Sequence, residues 1–269
     1  MTNKTLLFLV VSFLTMMRSS ALVVKEVLFD TPVSNHGARI RMIIKAKGLG
    51  DRFEIKSPDS IGGLKSPEYL AINAQGKMPL LLTGDAKYPI VESDTISRYV
   101  LDKYPGNPTF VPHNTMLRTL SNQVSRLHDV YVSSVQGCMY KPYGYIYSSF
   151  GTNRKAALGE FRKQLLIIES TLSRFYSLHP SLAGNYLCGH DISLADATLF
   201  PTMVFCHRIL PTYFKLTENE YSGPTMKTWW RFMNEHEACA QEVRAEIEGA
   251  IDKWVESGRF EPIMQEMKA

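Results

Sequence analysis

Two short stretches of this chain hold groups suited to gripping a peptide-like anion. Gly76-Lys77-Met78-Pro79 leads into the apolar run Leu80-Leu81-Leu82, and Val91-Glu92-Ser93-Asp94-Thr95-Ile96 follows a turn at Thr83-Gly84-Asp85. Proline is tolerated at the first residue of a strand, and a cis bond before it would turn the Met78 backbone outward, free to pair with an extended peptide. Glu92 and Ser93 fall where a helix leaves its first N–H groups unpaired, a setting that suits a bound carboxylate. Upstream, Ser34 stands in Thr31-Pro-Val-Ser-Asn-His-Gly-Ala-Arg39, just ahead of a helical pattern. A hydroxyl there can donate to an anion. Ser34 and His36 make a poor nucleophile–base pair, because they lie two apart in a loop with no Gly-x-Ser-x-Gly elbow and no orienting acid.

These groups need a framework. Val23–Phe29 is β-branched and apolar and reads as a strand; Asp30–Ser34 is a loop. Ile40, Ile43 and Ile44 then recur at helical spacing, with Lys45 and Lys47 near the end and Gly48 as a stop. Phe53–Ile55 reads as a second strand, Ser66–Ala71 as a helical turn, and Pro79–Leu82 with Tyr88–Val91 as a hairpin. A helix from Ser93 ends before Pro105. The order β-α-β-turn-β-β-α, with an antiparallel hairpin appended to a βαβ start, resembles the thioredoxin-like fold.

Pro105-Gly-Asn-Pro108 opens a linker over 105–114, after which the pattern over 115–269 is helical throughout. Leu117, Leu120, Val124, Leu127 and Tyr131 trace one apolar face, and Leu158, Phe161, Leu165, Ile168, Leu172 and Phe175 a second. Further helices follow Ser193 and Pro224, and Val243, Ile247, Ile251 and Trp254 mark a last one. In Asp191-Ile-Ser-Leu-Ala-Asp-Ala-Thr-Leu-Phe200, Ser193 and Asp196 make a capping box, and Pro201 is expected to kink the helix they start.

The 269 residues, 45% of them hydrophobic, suffice for two domains with sizeable cores. A net charge of +4 without a basic, aromatic-interleaved stripe argues against nucleic acid. Cys138, Cys188, Cys206 and Cys239 show neither Cys-x-x-Cys nor metal-like spacing and read as buried free thiols, so no metal is expected. Near the N-terminus, Lys4 precedes the apolar stretch Leu6–Met17, and Arg18-Ser-Ser-Ala21 follows. That stretch is shorter than the roughly 20 residues a membrane span needs but suits a signal-peptide core. Residues 1–21 therefore read as a targeting leader, for the secretory pathway or an organelle, with no stable membrane span once it is removed; retention of the extension on a cytoplasmic protein is the alternative.

The pairing of Gly-Lys-Met-Pro with a downstream Glu-Ser resembles the glutathione-binding half of the glutathione S-transferases, and Ser-x-Ala-Asp leading an apolar helix resembles the buried helix of their C-terminal domain. The Ser34 segment is similar to the serine-type (phi, theta and zeta-like) classes, in which a serine before a helix donates to the glutathione sulfur. No Tyr or Cys occurs between Val23 and Met42 to supply a tyrosine-type or cysteine-type site. The resemblance makes Ser34 the sulfur donor, with Thr31 or Asn35 as rivals. It places Lys65 and Lys77 at the glycyl carboxylate, the Met78 main chain before Pro79 on the cysteinyl backbone, Glu92 at the γ-glutamyl ammonium and Ser93 at its carboxylate. Tyr131, Tyr140 and Tyr143, with Met139, Tyr145, Tyr147 and Phe150 nearby, are candidates for a pocket holding a small hydrophobic electrophile.

The implied activity is conjugation of glutathione, as co-substrate, to such electrophiles in detoxification, by a homodimer. A glutathione-dependent isomerase or dehalogenase of the zeta or theta type, a non-catalytic ligand-binding protein of this fold, and a structural module as in translation-factor subunits are the alternatives. The energetic task is modest. A thiol titrates near 8.5, and lowering it by about two units requires roughly 2.7 kcal/mol in favour of thiolate. One charge-assisted hydrogen bond, at about 1.5–3 kcal/mol, and a helix N-terminus, at about 0.3–1 kcal/mol, together suffice.

Overall fold

A computed structural model describes residues 24–143 and 153–268. The leader over 1–21 and the candidate aromatics Tyr145, Tyr147 and Phe150 lie outside the described residues. The first domain holds β1 (Glu26–Phe29), α1 (Asn35–Ala46), β2 (Phe53–Lys56), α2 (Pro67–Ile72), β3 (Leu80–Leu82), β4 (Pro89–Val91) and α3 (Ser93–Lys103). The sheet order is β2-β1-β3-β4. β1 runs parallel to β2, with Leu28 beside Ile55, and antiparallel to β3, with Leu28 beside Leu81. A parallel pair needs a crossover, which α1 supplies, whereas β3 and β4 need only a tight turn. This is a thioredoxin-like domain.

The second domain is mostly helical: α4 (Thr115–Leu127), α5 (Arg154–Leu178), α6 (Leu194–Phe214), α7 (Pro224–His236), α8 (Ala238–Glu256) and α9 (Glu261–Lys268). Between α4 and α5 the chain continues from His128 in a wide, π-type turn and then in short helical pieces through Met139. The sequence pattern gives α8 as the last helix; the structure adds α9 beyond Gly258, tied down by Ile263 in the core and by the pair of Glu266 with buried Arg154, Oε2 to Nη2 2.8 Å. Helix α6 runs as one element through Pro201 and Pro211. Among the described residues no helix is long and apolar enough to cross a membrane.

Helix α1 has few exposed positions because it is packed against α3 of its own domain and against α6 and α8 of the other. Ile40, Met42 and Ile43 are fully buried, and so, almost completely, are Arg39 and Arg41. Arg41 is what fixes the loop ahead of the helix. Its guanidinium meets the Asp30 carboxylate, donates to Thr31 O at 3.0 Å and Pro32 O at 2.8 Å, and pairs with Glu246 of α8 at 2.8 Å. Gly37 is required beside this cluster, since a Cβ there would run into the Asp30 carboxylate.

The four cysteines are free and buried. Burial pushes the Cys138 and Cys239 thiols up to about 12 and those of Cys188 and Cys206 well above the ordinary range.

Asp196 anchors the start of α6. Its carboxylate accepts from Ser193 N at 2.7 Å, Ser193 Oγ at 2.6 Å, Leu187 N at 2.8 Å and Trp229 Nε1 at 2.8 Å. Complete burial outweighs these donors and raises its pKa from 3.8 to about 6. The folded chain thus holds a proton that the unfolded chain releases, so this contribution to stability is full below the unfolded value and lost as pH rises through the folded one. Unfolding free energy measured against pH should fall by on the order of 3 kcal/mol from this group between about pH 4 and 6, and Asp196→Asn should flatten that slope.

Candidate active site

A cleft of about 410 Å³ opens between the domains, where three backbone features converge. The first is the entry to β3. Tyr69 Oη and Asn73 Nδ2, both from the α2 end, donate to Lys77 O at 2.7 Å each, and the Met78–Pro79 peptide is cis. Among the described residues the Met78 N–H and C=O take no backbone partner, so they present an open edge. The second is the start of α3. Glu92 is its N-cap residue with φ 67°, a conformation that costs a non-glycine residue about 1–3 kcal/mol and is held where it serves a site. Glu92, Ser93, Asp94 and Thr95 line the cleft there.

The third feature is the first turn of α1, and its side chains are placed differently from expectation. Ser34 caps the helix: Oγ accepts the Gly37 N–H at 3.0 Å, and the residue is 8% exposed and not part of the cleft wall. The rival donors are committed elsewhere. Thr31 Oγ1 lies 3.7 Å from Met78 Sδ, and Asn35 Nδ2 donates to Gln136 Oε1 and Thr202 Oγ1 at 2.9 Å each. His36 is the residue of this segment that lines the cleft. Its Nδ1 sits 3.5 Å from Ser93 Oγ, and its ring meets the His128 ring edge-on at 6.2 Å. Burial, then the nearby positive charge of Arg39 and the His128 ring, lower its pKa to about 3, so the imidazole is neutral at physiological pH.

The opposite wall comes from the helical domain through Arg126, Asp129 and Ser133. Asp129 sits in the π-type turn that continues α4 from His128. It holds buried Arg39 in a two-pronged pair, at 3.1 and 2.5 Å. His128 Nδ1 lies 2.9 Å from Asp129 Oδ1 and its Nε2 lies 2.7 Å from Thr202 Oγ1. Burial alone would raise the Asp129 carboxyl, but the hydrogen bond from His128 and the charge of Arg39 outweigh it and hold it well below the usual range. Arg39, Asp129, His128, Thr202, Asn35 and Gln136 thus form one polar junction between the domains. Among the described residues, no group of acidic, histidine and cysteine side chains is arranged to hold a metal ion.

Residues 28–108 match the family model for the glutathione S-transferase N-terminal domain. Over those residues the first domain matches the glutathione S-transferase family. It is 28% identical over 187 residues to glutathione S-transferase 1 of Dianthus caryophyllus, covering 69% of this chain and 79% of that one. To glutathione S-transferase 3 of Zea mays it is 27% identical over 229 residues, covering 81% and 93%. Its fold is similar to that of a maleylacetoacetate isomerase from Methylobacterium extorquens AM1 solved with malonate and glutathione, with a TM-score of 0.61, 22% identity and coverage of 82% and 97%.

Within this glutathione S-transferase fold, Lys77, Met78, Pro79, Glu92 and Ser93 meet in the cleft. Lys65 stands just outside it, its ammonium 3.3 Å from Gln75 O, one residue beyond the lining. The tyrosines expected to hold a second substrate are not among the lining residues. Tyr140 packs into the core against Phe205 and Trp254, at 5.3 and 5.4 Å, while Tyr131 and Tyr143 are exposed. Apolar packing claims Tyr140, and polar groups take the wall instead. Arg126, Asp129 and Ser133 follow helical spacing along one face, a polar stripe visible in the sequence beside the apolar one. Asp129→Ala would leave the Arg39 guanidinium buried without its partner. It should lower the free energy of unfolding in urea by about 3–5 kcal/mol.

Proposed function

We propose that the protein is a catalytically active glutathione transferase in which glutathione lies along the β3 edge, spanning from Lys77 to the start of α3. The observation that carries this reading is the meeting of the open Met78 edge, the Glu92–Ser93 helix start and the first turn of α1 in one cleft. Met78 pairs with the cysteinyl backbone, Lys77 and Lys65 draw the glycyl carboxylate, Glu92 binds the γ-glutamyl ammonium, and the free N–H groups at Ser93 take its carboxylate. The thiol then falls at the α1 N-terminus, where Ser34 and the helix field favour thiolate. The thiolate attacks the electrophile, a carbon–sulfur bond forms and the leaving group departs, as in detoxifying conjugation. A homodimer is part of the proposal, as is a leader over 1–21 that directs the chain to the secretory pathway or an organelle.

The second reading is a glutathione-dependent isomerase of the zeta type. The polar helical wall favours it, since Arg126 and Ser133 suit a carboxylate-bearing substrate better than an apolar one. Leaderless protein should be retained on immobilised glutathione and should turn over either an activated aryl halide or a cis-configured unsaturated dicarboxylate. Retention with no turnover of either would assign a carrier role. Glu92→Gln or Ser93→Ala should raise the KM for glutathione roughly 10- to 100-fold, the loss of one charge-assisted hydrogen bond. An unchanged KM in both variants would remove the cleft from the glutathione site.

A further inference from the structure

We propose that His36 presents a second hydrogen-bond donor to the glutathione sulfur, beside Ser34. The inference rests on glutathione occupying the cleft as described above. Three observations locate the ring. It lines the cleft from the first turn of α1, it touches Ser93, and it is backed by the buried His128 ring. Thr31, in the same loop, lies against Met78. A tripeptide whose cysteinyl backbone pairs with Met78 and whose γ-glutamyl end reaches Ser93 must carry its thiol between those two points. His36 stands there.

The hydrogen-bonding roles of the ring follow from its neighbours. With the Ser93 hydroxyl donating to Nδ1, the hydrogen of the neutral imidazole resides on Nε2. Nε2 makes no hydrogen bond among the described residues and is not sealed from solvent, so it is available to a ligand. The charged and titratable groups around the ring are Arg39 on its own helix, Lys77 from the β3 entry, and His128 and Asp129 from the helical domain. Two of these are cations, and with burial and the His128 ring they keep the ring neutral through the working range. A neutral imidazole at a helix N-terminus cannot take the thiol proton efficiently. It can donate its own N–H to the sulfur once that proton has left for water, stabilising the thiolate without changing charge. Ser34, buried at the cap where its Oγ accepts the Gly37 N–H, sets the turn that presents the ring.

The test is ultraviolet titration of the thiolate of bound glutathione, with affinity measured alongside. His36→Ala should raise the pKa of the bound thiol by about one unit, a tenfold loss of thiolate at a fixed pH below it. His36→Gln, which restores a neutral N–H at similar reach, should recover most of that loss. In the wild type, nitrogen NMR of the ring should show Nε2 protonated and its signal displaced on adding glutathione. An unchanged thiol pKa in a His36→Ala protein that still binds glutathione overturns the assignment, even if its KM has risen. Should that variant not fold, a ring signal indifferent to glutathione in the wild type overturns it equally. Failure of the wild type itself to bind glutathione would instead reject the glutathione site.

Discussion

The hydrogen bonds that run from Asn35 through Thr202 and His128 to Asp129 and Arg39 join two domains with separate secondary-structure frameworks. Each member except Asp129 is almost wholly withdrawn from water, and Asp129 is 22% exposed. A buried polar group without a partner costs about 1–3 kcal/mol, and an unpaired buried guanidinium more. The junction therefore tolerates little relative movement of the domains. Because Asn35 and Arg39 belong to the first turns of α1, fixing the junction also fixes where the end of that helix points. The cleft depends on this one constraint.

On the sheet side the constraint is of another kind. Lys77 O is held by two donors from the α2 end, and Glu92 is held in a left-handed backbone conformation by the strand before it and the helix after it. The cleft's main-chain groups are thus preset by structure outside it, and the side chains facing inward can differ without moving them. The polar face of Arg126, Asp129 and Ser133 is what the helical domain contributes to the cleft.

Much of this was readable from residue types. The hairpin and α1 follow from local pattern, and the Lys77–Pro79 and Glu92–Ser93 segments stand out because proline and helix-start chemistry have few structural uses. What could not be read depends on neighbours distant in the chain. Asn35 resembles a loop donor until Gln136 and Thr202, more than a hundred residues on, claim its amide. Tyr140 resembles a pocket residue until Phe205 and Trp254 close over it. His36 carries no sequence mark of neutrality, since its lowered pKa comes from burial, Arg39 and a histidine of the other domain. Nor does any residue announce the π-type turn at His128. Helix α9 is short and follows a glycine break, so its period was too brief to register.

The depth of the cysteines has a consequence for any role in handling electrophiles. Reactivity of sulfur belongs to the thiolate, and all four thiols here are both shielded and held protonated across physiological pH. Among the described residues, a reagent that alkylates thiols finds no accessible cysteine on this protein. The same sequestration denies mixed-disulfide formation with an oxidised tripeptide. Under the proposed function the scaffold is self-sparing, since the sulfur that reacts there is that of the bound tripeptide.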